Sequence, residues 1–185
     1  MGRLEIDMGP QEAAGAIKNA FPSDVKNITE FQGQVGITVS KERIKEILRY
    51  LHDTPGMEFH FLSDLCGVDY FGKKEPRFEV VYHIYSMQNK AALRIKAQVP
   101  EDDLAIDSVV DVWSGAGWRE RECFDMFGIR FNNHPDLRRL LMPDDWDGFP
   151  LRKDYPMKSD LGDKEWKGYN DVVETAKKNS IYGVR

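Results

Sequence analysis

The chain has 185 residues, 41% of them hydrophobic and 31% charged, with a formal net charge of -5. That balance belongs to a folded globular protein rather than a disordered one. The basic residues are interleaved with acids, so the basic patch that a nucleic-acid surface requires is missing and nucleic acid is not expected as a partner.

From the N-terminus, residues 1–10 carry Glu5 and Asp7 where a signal peptide would have an apolar core. No run reaches the roughly 18 apolar residues of a membrane span, so the default expectation is a cytoplasmic protein. Residues 11–20 read as a helix, with Ala13, Ala14, Ile17 and Ala20 at three- and four-residue spacings and Pro22 ending it. Two short strands follow at 25–31 and 34–39, with Gly33 as the turn. The next helix spans 41–52, with Ser40 as its expected N-cap. Ile44, Ile47, Leu48 and Leu51 form its apolar stripe, and Pro55-Gly56 stop it.

Residues 59–70 read as a strand, central in its sheet and bent near Asp64-Leu65. Strands at 78–86 and 91–99 alternate in polarity, the second setting Leu93, Ile95, Ala97 and Val99 against Arg94, Lys96 and Gln98. This alternation marks a sheet with one wet face. The fold class is therefore α+β, with helices packed on one face of a mostly antiparallel sheet. A short helical piece at 109–113 and a helix at 118–127 come next, and 137–141 is helix-like. After Met142 the periodicity ends, apart from a short helical signal at 172–178. The expected organisation is an α+β domain over 1–141 and an extended C-terminal arm over 142–185.

Cys66 and Cys123 have no CxxC spacing and read as two free, buried thiols. Two cysteines cannot alone hold an iron–sulfur cluster, which normally takes four. His52, His60, His83 and His134 are scattered, so no metal site is expected.

The densest chemistry lies in 113–127. On a helix, Trp113, Ala116, Glu120, Phe124 and Phe127 share a face, which puts Glu120 inside an apolar stripe. A carboxylate there needs a proton or a cation, and an arginine is the expected partner, with Arg138, Arg139 and Arg152 available. Arg119 with Glu122 and Arg121 with Asp125 have the spacing for pairs along the helix. Three readings stay open on the residues alone: paired carboxylates of a hydrolase, a solvated charged helix, or an ion-pair cluster fixing a fold corner or a contact between subunits. The hydrolase reading lacks a nucleophile, a metal ligand set and a phosphate loop.

Glu120-Arg121-Glu122, Asp125-Met126-Phe127-Gly128, His134 and Leu137-Arg138-Arg139-Leu140-Leu141 together resemble the signature of the 30 kDa subunit family of complex I, whose bacterial form is the C subunit of NADH-quinone oxidoreductase. The run from Asp145 through Trp146, Gly148, Phe149, Arg152 and Asp154 to Tyr155-Pro156 resembles the same family's downstream hallmark. The match is close over 113–156 and shows no departure from the pattern.

The resemblance implies a non-catalytic subunit of the peripheral arm of a proton-translocating NADH:quinone oxidoreductase, on the cytoplasmic side of the membrane and touching it only through the complex. It implies no cofactor in this chain, the FMN and iron–sulfur clusters being carried by other subunits. Its partners would be the large quinone-site subunit (49 kDa type) and the small cluster-bearing subunit. Glu120, Arg121, Glu122, Asp125, Gly128, His134 and Arg138 would then be structural signature residues. Trp146, Phe149, Arg152, Asp154, Tyr155 and Trp166 would be the arm's partner contacts, with folding back on their own domain the alternative for Trp146 and Phe149. A membrane-bound hydrogenase subunit, or one from a complex with another electron donor, carries a similar signature.

Overall fold

The structure is a computed structural model that describes residues 8–156 together with residues 174, 175 and 178. Helix α1 (Pro10–Ala20) is followed by strands β1 (Val25–Phe31) and β2 (Gln34–Ser40), helix α2 (Ile44–Asp53), and strands β3 (Phe61–Asp69), β4 (Phe78–Ser86) and β5 (Ala91–Val99). Short strand β6 (Ala105–Asp107), helix α3 (Ala116–Phe127) and short strand β7 (Arg130–Asn132) complete the regular elements. The main sheet has the order β1-β2-β5-β4-β3, antiparallel except for the β2–β5 pair. Strands β6 and β7 form a separate parallel pair.

Strand periodicity decides which side is covered. Val39, Ala97, Val80 and Gly67 lie in one cross-strand row. The same face carries Ile37, Ile95 and Tyr82, all fully buried in a core with the stripes of α1 (Ala13, Ala14, Ile17) and α2 (Ile44, Ile47, Leu48, Leu51). Helix α3 joins them on that face. A Cβ at Gly67 would lie 2.6 Å from the Phe127 ring and 2.9 Å from the Cys123 sulfur. Glycine there lets the helix backbone approach the strand.

Several local expectations are corrected. Helix α2 begins at Ile44, and Ser40 does not cap it. Its hydroxyl donates to Asp24 at 3.1 Å, while Arg43 occupies the cap position without a side-chain cap bond. Strand β3 is an edge strand, not a central one. Its apolar character comes from α3 lying across it, and its register shifts between Leu62 and Asp64. Cys66 is exposed, with only Cys123 buried, because the two faces of an edge strand differ in cover. Residues 137–141 are not helical, since the N–H groups of Leu140 and Leu141 are directed at the Asp125 carboxylate instead. Of the arm's helical signal, Glu174, Thr175 and Lys178 are helical, with a Lys178–Glu174 contact at 4.0 Å.

Candidate functional site

Helix α3 buries three charged side chains in twelve residues: Glu120 and Asp125 fully, and Arg121 to 9% exposure. Each meets a different solution to the cost of burying a charge.

Glu120 accepts a hydrogen bond from the Ser108 hydroxyl at 2.7 Å and from the Val109 N–H at 2.8 Å. The arginine partner expected for it is therefore replaced by a hydroxyl and a backbone amide. The reason is positional: the helix turns Glu120 toward the loop after β6, away from 138–152 where the spare arginines lie. Burial raises its carboxyl to about 7, against the lowering effect of those two donors. His134 Nε2 stands 3.9 Å from the Glu120 carboxyl. Its Nδ1 accepts the Asp136 N–H at 3.0 Å, so the proton resides on Nε2, which faces the Gly117 carbonyl at 3.1 Å. His134 thus joins the β7 turn to the start of α3.

Asp125 is the hub of the opposite flank. One oxygen accepts the successive N–H groups of Leu140, Leu141 and Met142 at 3.0, 2.7 and 2.8 Å, and the other accepts Arg139 at 2.7 Å. Burial pushes this carboxyl up, but the three amides and the guanidinium outweigh it and hold it below the usual carboxylate range. Arg139 also donates to the carbonyls of Trp146 and Gly148 at 2.9 and 3.1 Å.

The expected pairs along the helix do not form. Arg119 reaches across to Asp64 and the Ser63 carbonyl. Arg121 donates to the carbonyls of Arg138 and Arg139 at 3.1 and 2.9 Å. Tertiary partners displace the intrahelical ones because α3 is packed on two sides, and a surface pair contributes only tenths of a kcal/mol. Glu122 is exposed, and Arg138 is an exposed partner of Asp136.

The C-terminus of α3 is closed by the chain that returns over it. Gly128 has φ +79, the left-handed conformation of a helix-ending glycine. A Cβ there would also lie 2.6 Å from the Phe149 ring and 2.7 Å from the Arg152 guanidinium. The free carbonyls of the last turn are taken up, Met126 by the Leu151 N–H at 3.1 Å and Phe127 by Arg152 Nε at 2.7 Å. A cation at this end also complements the helix dipole. The Arg152 guanidinium lies 4.7 Å from the Phe149 ring centroid and 5.4 Å from that of Phe78.

A second clasp binds the returning chain to the end of the sheet. Arg77, 3% exposed, donates to Asp69 at 2.8 and 2.9 Å, to Glu101 at 2.6 Å and to Asp154 at 2.7 and 3.1 Å. The Lys153 N–H adds a bond to Asp69 at 2.8 Å. Burial acts to raise the Asp69 carboxyl, but Arg77 and the N–H groups of Lys153 and Phe71 bring it down to about 2. Arg77 likewise lowers Asp154, and its own guanidinium is raised by these carboxylates. Tyr155 donates its hydroxyl to the Asp147 carbonyl at 3.0 Å.

Five of the six arm residues singled out from the sequence thus make their observed contacts within their own chain, and Trp166 lies outside the described residues. Phe149, Arg152 and Asp154 engage the α+β body directly, Trp146 does so through its carbonyl, and Tyr155 stays within the arm. Sequence reasoning missed Arg77, Asp69 and Ser108. An acid and a base flanking the β3–β4 hairpin were the one available signal for the first two.

Chemically, this arrangement holds backbone. Among the described residues there is no group of three or more His, Cys, Asp or Glu placed to bind a metal ion, and no helix long and apolar enough to cross a membrane. The buried carboxylates of α3 are engaged by amides, a hydroxyl and an arginine.

Comparison with known proteins converges on one family. The family model described as "Respiratory-chain NADH dehydrogenase, 30 Kd subunit" matches residues 37–161. The NADH-quinone oxidoreductase C subunit of Geobacter sulfurreducens is 50% identical over 141 residues, 76% of this chain and 86% of its own. Its counterpart in Roseiflexus sp. (strain RS-1) is 46% identical over 166 residues, 90% and 89% of the two chains. Among solved structures, the trypsin-resistant fragment of Nqo5 aligns at TM-score 0.59 and 31% identity, over 67% of this chain and 98% of that one. A chain of the membrane-bound sulfane sulfur reductase, an archaeal respiratory membrane complex, aligns at TM-score 0.65 and 20% identity over 95% of both chains, a likeness of fold alone.

Proposed function

This chain belongs to the 30 Kd subunit family of respiratory-chain NADH dehydrogenase, and from that membership we propose that it is a non-catalytic, cofactor-free structural subunit of the peripheral arm of a proton-translocating NADH:quinone oxidoreductase. Its partners are the large quinone-site subunit and the small cluster-bearing subunit, on the cytoplasmic side of the membrane. Electrons pass from NADH to quinone through flavin and clusters carried by those and other subunits. This chain supplies a rigid wall against which the quinone-reducing module is assembled.

One observation carries the reading. The signature's buried carboxylates are engaged in holding their own backbone: Glu120 binds Ser108 and Val109, and Asp125 binds Arg139 and three successive amides. A general acid or base must reach a substrate proton, and these two groups are fully buried. The stand-alone hydrolase reading has no comparable support.

The test is purification from membranes through a tag on this chain. The expected product is a complex that contains both partner subunits and oxidises NADH with quinone. The purified chain by itself should carry neither flavin nor iron. Recovery of the chain alone, without the cluster-bearing subunit, would sink the proposal, as would turnover of a substrate by the isolated chain.

A further inference from the structure

Arg121 is a buried guanidinium that no carboxylate pairs among the described residues. Its donors serve the carbonyls of Arg138 and Arg139, and its flat face lies 5.0 Å from the Trp118 ring centroid. Asp125, four residues on, is engaged by Arg139 instead. Glu122 acts on the other flank, where its charge bears on Cys66 of β3. Among the described residues no carboxylate reaches Arg121 within ion-pair distance. A cation in that position is only partly compensated by dipoles and by an aromatic face.

Directly over it stands Trp118, 65% exposed. Along the same flank of α3 the segment anchored by Asp125 presents Leu141, 61% exposed. Residues 118 and 125 are two helical turns apart, about 10 Å, so the two apolar side chains bracket one ridge. Its backing is rigid, because 138–142 is tied down by five hydrogen bonds to Arg121 and Asp125. Tryptophan and arginine are the residues enriched at the energetic centres of interfaces, and a preorganised anchor loses little entropy on docking.

We propose that the Trp118–Leu141 ridge docks into a neighbouring subunit whose surface offers an apolar pocket for the indole and a carboxylate at its rim for Arg121. This rests on the reading of the chain as a subunit and adds the place and chemistry of one contact. The acid that the described residues do not supply names the partner's chemistry: the ridge is positively charged at its base within a chain whose net charge is -5, so an apolar surface without an acid leaves Arg121 with only carbonyls and an aromatic face.

The experiment places the photo-cross-linker p-benzoylphenylalanine at position 118 in the whole complex, purified through a tag on this chain and then irradiated. The expected cross-link enters another subunit within a segment that contains Asp or Glu. Changing that acid to its amide, or Trp118→Ala, then weakens retention of the chain in the complex at least about tenfold. Trp118→Ala should leave the circular dichroism of the isolated chain unchanged, which separates docking from folding. Absence of a cross-link in an intact complex overturns the proposal while leaving the subunit reading standing. So does a cross-link to a second copy, to this chain's own residues, or to a partner segment without an acid. A chain that never enters the complex overturns both.

Discussion

At the scale of single residues, the carboxylates of these clusters fall into two classes with opposite effects on stability. Asp69, Asp125 and Asp154 are lowered by arginine and amide donors, Asp69 to about 2. Their contribution is present above the unfolded value near 3.8 and is lost as pH falls through the folded one. Glu120 behaves in the reverse sense. Burial raises it from 4.5 to about 7, so between those values the folded chain keeps a proton that the unfolded chain has released. The folded state then binds more protons, and stability falls as pH rises through that window. Glu120→Gln should therefore flatten the decline in the urea midpoint between pH 5 and pH 7.5, its effect relative to the wild-type chain being more favourable at pH 7.5 than at pH 5. An unchanged slope would show that Glu120 is ionised throughout. The burial of Glu120 was readable from its place in an apolar stripe. Its partner was not, because Ser108 lies twelve residues away on a loop whose path no local pattern reports.

At the scale of elements, α3 is defined less by propensity than by what closes its ends. It has no acidic residue in its first turn, no basic residue in its last turn and no side-chain N-cap. The β7 turn reaches its start through His134, and the returning chain covers its end. Gly128 is the point where these demands meet, since it needs a left-handed backbone and has no room for a side chain. Gly128→Ala costs about 1–2 kcal/mol for the conformation alone, and its Cβ also displaces Phe149 and Arg152. The expected outcome is a urea midpoint lowered by at least that amount, with faster trypsin cleavage at Arg152 and Lys153. Cleavage at the wild-type rate would mean that the arm is held by the Arg77 clasp alone. Element positions were largely legible because periods of 3.6 and 2 mark α2, β4 and β5 in the chain itself. The β6–β7 pair was not, since three-residue strands carry too little pattern, and β3 was misplaced because an edge strand under a helix looks as apolar as a central one.

At the scale of the whole molecule, the chain that follows Leu141 is tied back onto the α+β body. Arg139, Arg152 and Arg77 bind the chain through residue 154 onto the α+β body. A chain ending at Pro156 keeps these bonds and should melt in one transition. One ending at Leu141 loses Asp154 from Arg77, the cover over Gly128 and the carbonyl partners of Arg139. Loss of a few such bonds lowers Tm by at least about 5 °C in a domain of this size, measurable by differential scanning calorimetry. Equal melting temperatures for the two would show that the clasps contribute nothing to the body.

The sequence by itself determined the α+β class, the helix-covered sheet and the family, because hydrophobic periodicity and a long mixed signature are local properties of the chain. It also singled out Glu120, Asp125, Gly128 and His134 as residues that matter. Only the tertiary structure decided what each of them holds. Asp125 binds Arg139 rather than Arg121, Arg77 binds Asp154 across 77 positions, and Arg121 lies beneath an exposed tryptophan with no acid among the described residues. Charges pair by distance in space, and distances between remote segments are set by packing, which no spacing along the chain encodes.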